Sequence, residues 1–365
     1  MNNQQPRNRI AYFISPHGFG HAARAAAVML SLQDHLPEVH FDIFTRIPEW
    51  FFEESLLRNY TCHDVLTDVG LVQSTPMVED LTATLDMLGK FIPFDQHILD
   101  LLCAQLYALG TRLVICDISP LGIAVAQQAH IQSILIENFT WDWIYEGYLP
   151  NEIGFNRFIP FLQELFAAST YHIQTAPICR PVVKHDLLTL PVSRKPNITP
   201  DQIREALHIP DHQPMVLITM GGIPDRYSFL QQLTKLSSIS FVIPGSVPAI
   251  EHSKNLILLP HHSNFYHPNL IHTCDTAIGK AGYSTIAEAY AAGVPFGYVC
   301  RPGFRESGPL TDFIRREMKG MEITPNDFES GAWIDQLSWL LTLPRIQRPG
   351  PNGADQISRF LISLL

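Results

Sequence analysis

The sequence predicts an α/β protein made of two Rossmann-like domains that face each other across a cleft. Three observations carry this. An apolar run at residues 10–15 breaks into Pro16-His17-Gly18-Phe19-Gly20 and then an Ala-rich stretch, which reads as strand, glycine turn and helix. The same succession returns at residues 276–292, around the glycine turn 279–282. Between the two, prolines at 177, 181, 191, 196, 200, 210 and 214 give residues 175–214 the texture of a linker. Ligands of open α/β sheets bind at the carboxyl ends of the strands, so each half should carry its chemistry at its glycine turn.

Taken in order, residues 10–15 are a strand and residues 22–32 a helix favoured by alanine. His40–Thr45 is the next strand, and residues 81–109 are helical in composition with an interruption near Pro93. Residues 112–116 form a buried strand, 121–130 a helix and Ser133–Glu137 a further strand. After the linker comes a short helix at 200–207, with Thr199 as its cap. Met215–Thr219 and residues 240–243, 255–259, 276–278 and 294–299 are strands, and 284–292 is a helix. Residues 356–365 form a final amphipathic helix after a Pro/Gly break at 349–353. The expected domains are residues 1–178 and 179–348.

Composition narrows the function classes. A length of 365 residues suits two domains. Lys and Arg number 25 against 35 Asp and Glu, a formal charge of −10, and no basic stripe offsets it. Nucleic acid is therefore not an expected partner. With 46% hydrophobic and only 16% charged residues, the chain is not a disordered one. Cys62, Cys103, Cys116, Cys179, Cys274 and Cys300 form no CxxC pair, which suits free thiols in a reducing compartment. The polar first nine residues lack the apolar core of a secretory signal, and no run reaches the ~18 apolar residues of a membrane span. A cytoplasmic location is expected.

Several motifs carry candidate chemistry. His21 falls at the start of the first helix, where an imidazole with a pKa near ~6.5 can serve as general base. The bland alternative is an incidental histidine beside a dinucleotide-type glycine loop. Asp117, at a strand end, can accept the imidazole N–H of His21, and Asp117 or Ser119 can cap the helix opened by Pro120, two roles that can coexist. The run Asn138-Phe139-Thr140-Trp141-Asp142-Trp143 interleaves aromatic and polar groups as a sugar-like ligand requires, with at least one of Trp141 and Trp143 as core. His17, Asn138, Trp141 and Asp142 are the candidates to line an acceptor. Lys280, Gly282, Ser284 and Thr285 surround a helix start suited to phosphate. Glu288 can bind ribose, or close a capping box with Ser284 or Thr285. The stretch is not a Walker A loop, which requires GxxxxGK[ST]. Gly221 and Gly222 let the backbone approach phosphates, or form a tight turn. Arg305 and Glu306 can hydrogen-bond a donor sugar, or sit in a solvated turn. His261, His262, His267 and His272 lack metal-ligand spacing and read as solvated loop residues, and no DxD occurs, so no metal is expected.

With these residues assembled the chain resembles the GT-B glycosyltransferases. The segment 279–288 followed by Gly293-Val294-Pro295 is similar to the donor-binding pattern H-C-G-W-N-S-x-x-E and G-V-P of small-molecule glycosyltransferases. Lys280 stands in place of that family's phosphate-contacting His, Gly282 keeps the Gly, and Tyr283, Ser284 and Thr285 replace Trp, Asn and Ser. Glu288 is then the matching ribose ligand. The first motif looks like the family's G-x-G-H turn, making His21 the matching base and Asp117 its partner. HGFGHAAR, CDISP, NFTWDWIYEGY, GKAGYSTIAEA and the segment around FRESGPL together resemble the glycosyltransferase-like N-terminal region of plant L-arabinokinases and its bacterial stand-alone relatives. The sugar-kinase PxxxGLSSS-like loop is absent, so kinase activity is not implied.

The resemblance implies an acceptor in the N-terminal domain and a nucleotide-sugar, expected to be uridine-based, in the C-terminal one. It implies that a helix at 354–365 crosses back to complete the N-terminal domain. It implies hexosyl or pentosyl transfer without a metal or a cofactor, the nucleotide-sugar being a co-substrate. A non-catalytic nucleotide-sugar-binding or regulatory protein and a nucleotide-sugar epimerase would share these residues. Neither the acceptor nor the oligomeric state is legible.

Overall fold

The computed structural model describes residues 8–55, 57–75, 78–220 and 227–365. They form two units. The first runs to Val192 and also takes Phe304–Glu306 and Pro351–Leu365, and the second takes Ser193–Gly303 and Ser307–Gly350.

Strands of the first unit are β1 (Arg9–Ile14), β2 (His40–Thr45), β3 (Tyr60–Asp64), β4 (Gln73–Thr75), β5 (Val78–Glu79), β6 (Leu113–Asp117), β7 (Ser133–Glu137), β8 (Tyr171–Thr175) and β9 (Leu187–Thr189). Its helices α1 to α7 are Phe19–His35, Trp50–Glu54, Leu81–Phe91, Gln96–Leu109, Pro120–Gln128, Trp141–Glu146 and Ile159–Ala167. Seven strands form one parallel sheet in the order β3-β2-β1-β6-β7-β8-β9, and β4 and β5 form a separate antiparallel pair. The central strands β6 and β7 are buried throughout, which is why LVICD and SILIE read as apolar runs. The strand order reverses between β1 and β6, the switch point of a doubly wound sheet.

Helix α1 begins three residues earlier than the alanine content suggests. Gly18, at φ 75°, serves as its N-cap, and His21 consequently lies within the first turn. The helical stretch 81–109 is two helices, because Pro93 interrupts it and Asp80 and Asp95 cap each start, accepting from the amides of Ala83 and His97. The outer strands β3, β8 and β9 escape an apolar-run search because they are partly exposed, the first two being polar as YTCHD and YHIQT and the third only three residues long. β9 pairs with β8, so the first sheet continues beyond residue 178 and its unit runs to Val192.

The second unit contains β10 (Met215–Thr219), β11 (Ser240–Pro244), β12 (Glu251–Ser253), β13 (Leu256–Leu259), β14 (Thr276–Lys280), β15 (Phe296–Val299) and β16 (Gly320–Ile323). Its helices α8 to α14 are Pro200–Ala206, Leu230–Leu233, His267–Thr273, Tyr283–Ala292, Ser307–Glu317, Pro325–Ser330 and Leu337–Leu340. The sheet order is β12-β13-β11-β10-β14-β15-β16, parallel except for the edge strand β12. Its reversal lies between β10 and β14. Strand β14 runs on through Gly279 and Lys280, which were expected to form a turn, because Gly279 stays in register with Thr219. Strand β15 starts at Phe296 rather than 294, since α11 ends in a left-handed Gly293 at φ 67° and Val294-Pro295 only connect.

A last helix, α15 (Gly353–Ile362), belongs to the first unit. Its start lies earlier than 356 because Asn352 and Asp355 build a capping box. Ser31 of α1 hydrogen-bonds Asp355 at 3.0 Å and Ser358 at 2.9 Å, and Ala354, Ile357 and Leu361 join the core beneath.

Gly279 tests the β10–β14 contact. A Cβ there would lie 1.9 Å from the Thr219 carbonyl oxygen, so Gly279→Ala must push β10 and β14 apart at the centre of the sheet. A loss of about 1–3 kcal/mol or more is expected in urea unfolding. Gly308→Ala, whose Cβ meets nothing within 4 Å in α12, should be neutral or stabilising.

Candidate functional site

In the first unit the switch point is built from two loops. The β1–α1 loop brings His17 and His21, and the β6–α5 loop brings Asp117. His21 Nδ1 lies 2.8 Å from Asp117 Oδ1. An ionised Asp117 only accepts, so in this bond Nδ1 is the donor. Helix α5 is capped by Ser119, whose hydroxyl accepts from the Gly122 amide. The capping alternative for Asp117 is thus overturned: the cap is two residues on.

The sequence reading missed Arg24. It lies three residues after His21 on the same face of α1 and is 1% exposed. It grips Asp117 with two bonds, Nε to Oδ2 at 2.7 Å and Nη2 to Oδ1 at 2.6 Å. Its Nη1 donates to Asn138 Oδ1 at 2.7 Å, and Asn138 Nδ2 donates to Glu306 Oε1 at 2.8 Å. Burial opposes ionisation of Asp117, but Arg24 and His21 outweigh it and hold the carboxyl below its ordinary range. An arginine inside an amphipathic, Ala-rich helix leaves no sequence signal beyond its closeness to His21.

Asp68 is the second residue missed. It is fully buried and accepts from Trp141 Nε1 at 3.1 Å. Burial pushes its carboxyl up to about 6, with Ser15, His21 and Trp141 restraining the rise. The turn after β6 is also strained. Ile118, a β-branched residue, sits at φ 46°. It is held there by an antiparallel bridge to Ile14, and Thr67 ties the neighbouring residues by donating to the Ile14 carbonyl and accepting from Ser119.

Of the expected acceptor-lining residues, Asn138 is enclosed in the Arg24 network and Trp141 is 1% exposed, so both are interior groups. Trp143 is core as well. His17 is half-buried, with its ring edge-on to Trp141 at 5.2 Å. Asp142 is buried and pairs with Arg180 at 3.1 Å. Arg305 and Glu306, expected as donor-sugar ligands in the second half, group with the first unit. Arg305 stacks 4.4 Å over Trp143, donates to its carbonyl and reaches Glu146 at 3.0 Å.

In the second unit Lys280 ends β14 and Gly282 is the N-cap of α11, which begins at Tyr283 with no side-chain cap. The capping-box alternative for Glu288 is therefore overturned. Ser284 is half-buried and Thr285 buried in the first turn. Glu288 is buried, accepting from Arg194 Nε at 3.0 Å and facing His267 Nδ1 at 2.6 Å. Burial disfavours its charge, and Arg194 and His267 override this, holding the carboxyl below the usual range. His267, expected in a solvated loop, starts α10, with its Nε2 3.3 Å from Thr219 Oγ1. Gly221 and Gly222 lie outside the described residues. Among the described residues no cluster of three or more His, Cys, Asp and Glu side chains is arranged to hold a metal, and no helix is long and apolar enough to cross a membrane.

Two Rossmann-like units with parallel sheets and their switch points at these loops make this the GT-B fold. Spinosyn forosaminyltransferase SpnP superposes with a TM-score of 0.61 at 16% identity, covering 98% of this chain and 94% of that one. The calicheamicin glycosyltransferase CalG4 gives 0.61 at 15% identity, with 98% and 95% covered. Medicago truncatula UGT71G1, solved with UDP-glucose, gives 0.60 at 12% identity, with 100% and 99% covered. In sequence the chain is homologous to L-arabinokinase of Arabidopsis thaliana, 26% identical over 355 residues. The match takes in 96% of this chain and 34% of that protein, so the chain spans about a third of its relative's length. No protein-family model matches the chain.

Two of the first unit's buried carboxyls, Asp117 and Asp68, respond oppositely to pH. Asp117 has a lowered folded pKa, so its stabilisation is complete above the ordinary value of 3.8 and is lost as pH falls below it. Asp117→Asn strands Arg24 and should cost about 3–5 kcal/mol at pH 7. Asp68 has a raised folded pKa, so its charge costs stability above about 6 and the cost fades as pH falls towards 3.8. Asp68→Asn should raise stability at pH 8 by up to about 3 kcal/mol and change nothing near pH 3.5. Denaturant titrations at the two pH values check both.

Proposed function

We propose that the protein is a glycosyltransferase that moves a hexosyl or pentosyl group from a nucleoside-diphosphate sugar, most simply a UDP-sugar, to an acceptor hydroxyl without a metal. The observation that carries this reading is the His21–Asp117 pair at the first switch point, on a fold shared with a protein solved with UDP-glucose. Asp117 fixes the tautomer, so His21 Nε2 takes the proton of the acceptor hydroxyl. The oxygen bonds to the anomeric carbon while the bond from that carbon to the diphosphate breaks, and the nucleoside diphosphate leaves with the electron pair. Such a single displacement inverts the anomeric centre. Lys280 and the uncapped start of α11 would meet the charge developing on the diphosphate. Gly282, Ser284 and Thr285 at that helix start, with Gly221 and Gly222, would hold the phosphates, and Glu288 would bind the ribose. The ribose role asks Glu288 to accept hydroxyls beside the bonds it already has to Arg194 and His267, which a carboxylate's remaining lone pairs allow.

One observation favours a nucleotide-sugar-binding protein without turnover. Arg24 already neutralises Asp117, so the carboxylate orients His21 more than it stabilises an imidazolium.

His21→Ala separates the readings. Transfer should fall about 10²–10⁴-fold with nucleoside diphosphate affinity kept, and turnover near the wild-type rate would remove His21 as base. Lys280→Ala should weaken nucleoside diphosphates strongly and the bare nucleoside hardly at all. Transfer should persist in EDTA; a loss restored by Mg²⁺ or Mn²⁺ would overturn the metal-free reading.

A further inference from the structure

The first unit contains a cavity that the transfer chemistry does not use. It has a volume of about 240 Å³ and opens between the last turn of α7, the start of β8 and the segment 180–186. Phe139 and Phe166 supply apolar wall, and the carboxylates of Glu137, Asp142 and Asp186 and the cations of Arg180 and Lys184 supply charge. The polar groups are built in. Glu137 is 2% exposed and fixed by His172 at 2.8 Å and Gln174 at 2.7 Å. Asp142 is 3% exposed, and Arg180 meets only its Oδ2, at 3.1 Å. Oδ1 is buried, and the Thr140 hydroxyl and the Trp143 amide also support the carboxylate.

We propose that this cavity binds a single uncharged sugar ring or cyclic polyol. The volume lies below the ~300–1,000 Å³ of pockets for drug-sized ligands, which suits one ring. Carboxylates and cations line it together, so neither an anionic nor a cationic ligand escapes repulsion. Arg180 cancels the charge of Asp142, and the carboxylate oxygen it meets keeps a lone pair for a further donor. A hydroxyl donates there without bringing a charge, neighbouring hydroxyls can accept from Arg180 and Lys184, and the C–H face of a ring packs on the phenyl walls. An ammonium group would meet Arg180 beside the same carboxylate. The inference stands on the cavity alone and does not require His21 to be a base.

Calorimetric titration with neutral pentoses, hexoses and inositol, set against sugar phosphates and amino acids, tests it without any donor. One neutral ring should bind at a single site per chain. Asp142→Asn should weaken it about tenfold or more. Ala167 lines the cavity from the exposed end of α7, so Ala167→Phe fills the space from outside and should abolish binding while leaving the melting temperature nearly unchanged. No binding of any neutral ring at tens of millimolar, selection of an amino acid or phosphate instead, or unchanged binding in Ala167→Phe would each overturn the assignment.

Discussion

Enclosing a guanidinium is unfavourable unless every donor finds a partner, and Arg24 meets that demand by drawing three elements of the first unit to itself. Asp117 at the end of β6 receives two of its bonds and Asn138, just past β7, a third, while Thr175 at the end of β8 lies 3.5 Å away. The rotation of α1 about its axis is thereby fixed, and with it the direction in which His21 points, one turn earlier. Through Asn138 the same network reaches Glu306, a residue far along the chain. The position of the candidate base is a by-product of where the arginine can be satisfied.

The strain at Ile118 belongs to the same arrangement. An unfavourable backbone persists only where surrounding contacts over-determine it. Here the Ser15 amide bonds the Asp117 carbonyl, Ile14 bridges Ile118, and Thr67 and Ser119 close the far side. The turn sends Asp117 toward α1 while Ser119 remains available to cap α5. In the second unit the counterpart is the Arg194–Glu288–His267 chain, which ties α11 to α10.

The two-unit α/β architecture was legible because its central strands are buried on both faces and because β1 and β14 lead into their helices through glycine-containing segments. Tyr60–Asp64, Tyr171–Thr175 and Leu187–Thr189 were not, since a strand towards the rim of a sheet and partly in water need not be a long apolar run. His21 and Asp117 stood out because they follow strand ends. Arg24, Asp68, Arg194 and His267 did not, because a buried charge is recognised only by the partner that folding brings to it, and those partners lie far away in sequence. Arg305 and Glu306 were read from the strand they follow, whereas their positions come from Trp143, Glu146 and Asn138.

Helix α15 gives the chain a consequence in time. Its apolar residues Ala354, Ile357 and Leu361 finish a core shared with β1, α1 and Val192, yet they follow the entire second unit in the sequence. At ~5–20 residues per second a ribosome needs on the order of ten to thirty seconds to pass from one side of that core to the other. During that interval the nascent first unit lacks one of the helices that cover its sheet. Chaperone dependence should therefore fall on the earlier-made half of the protein, and a break in the polypeptide between the units would leave the first unit, not the second, unfinished.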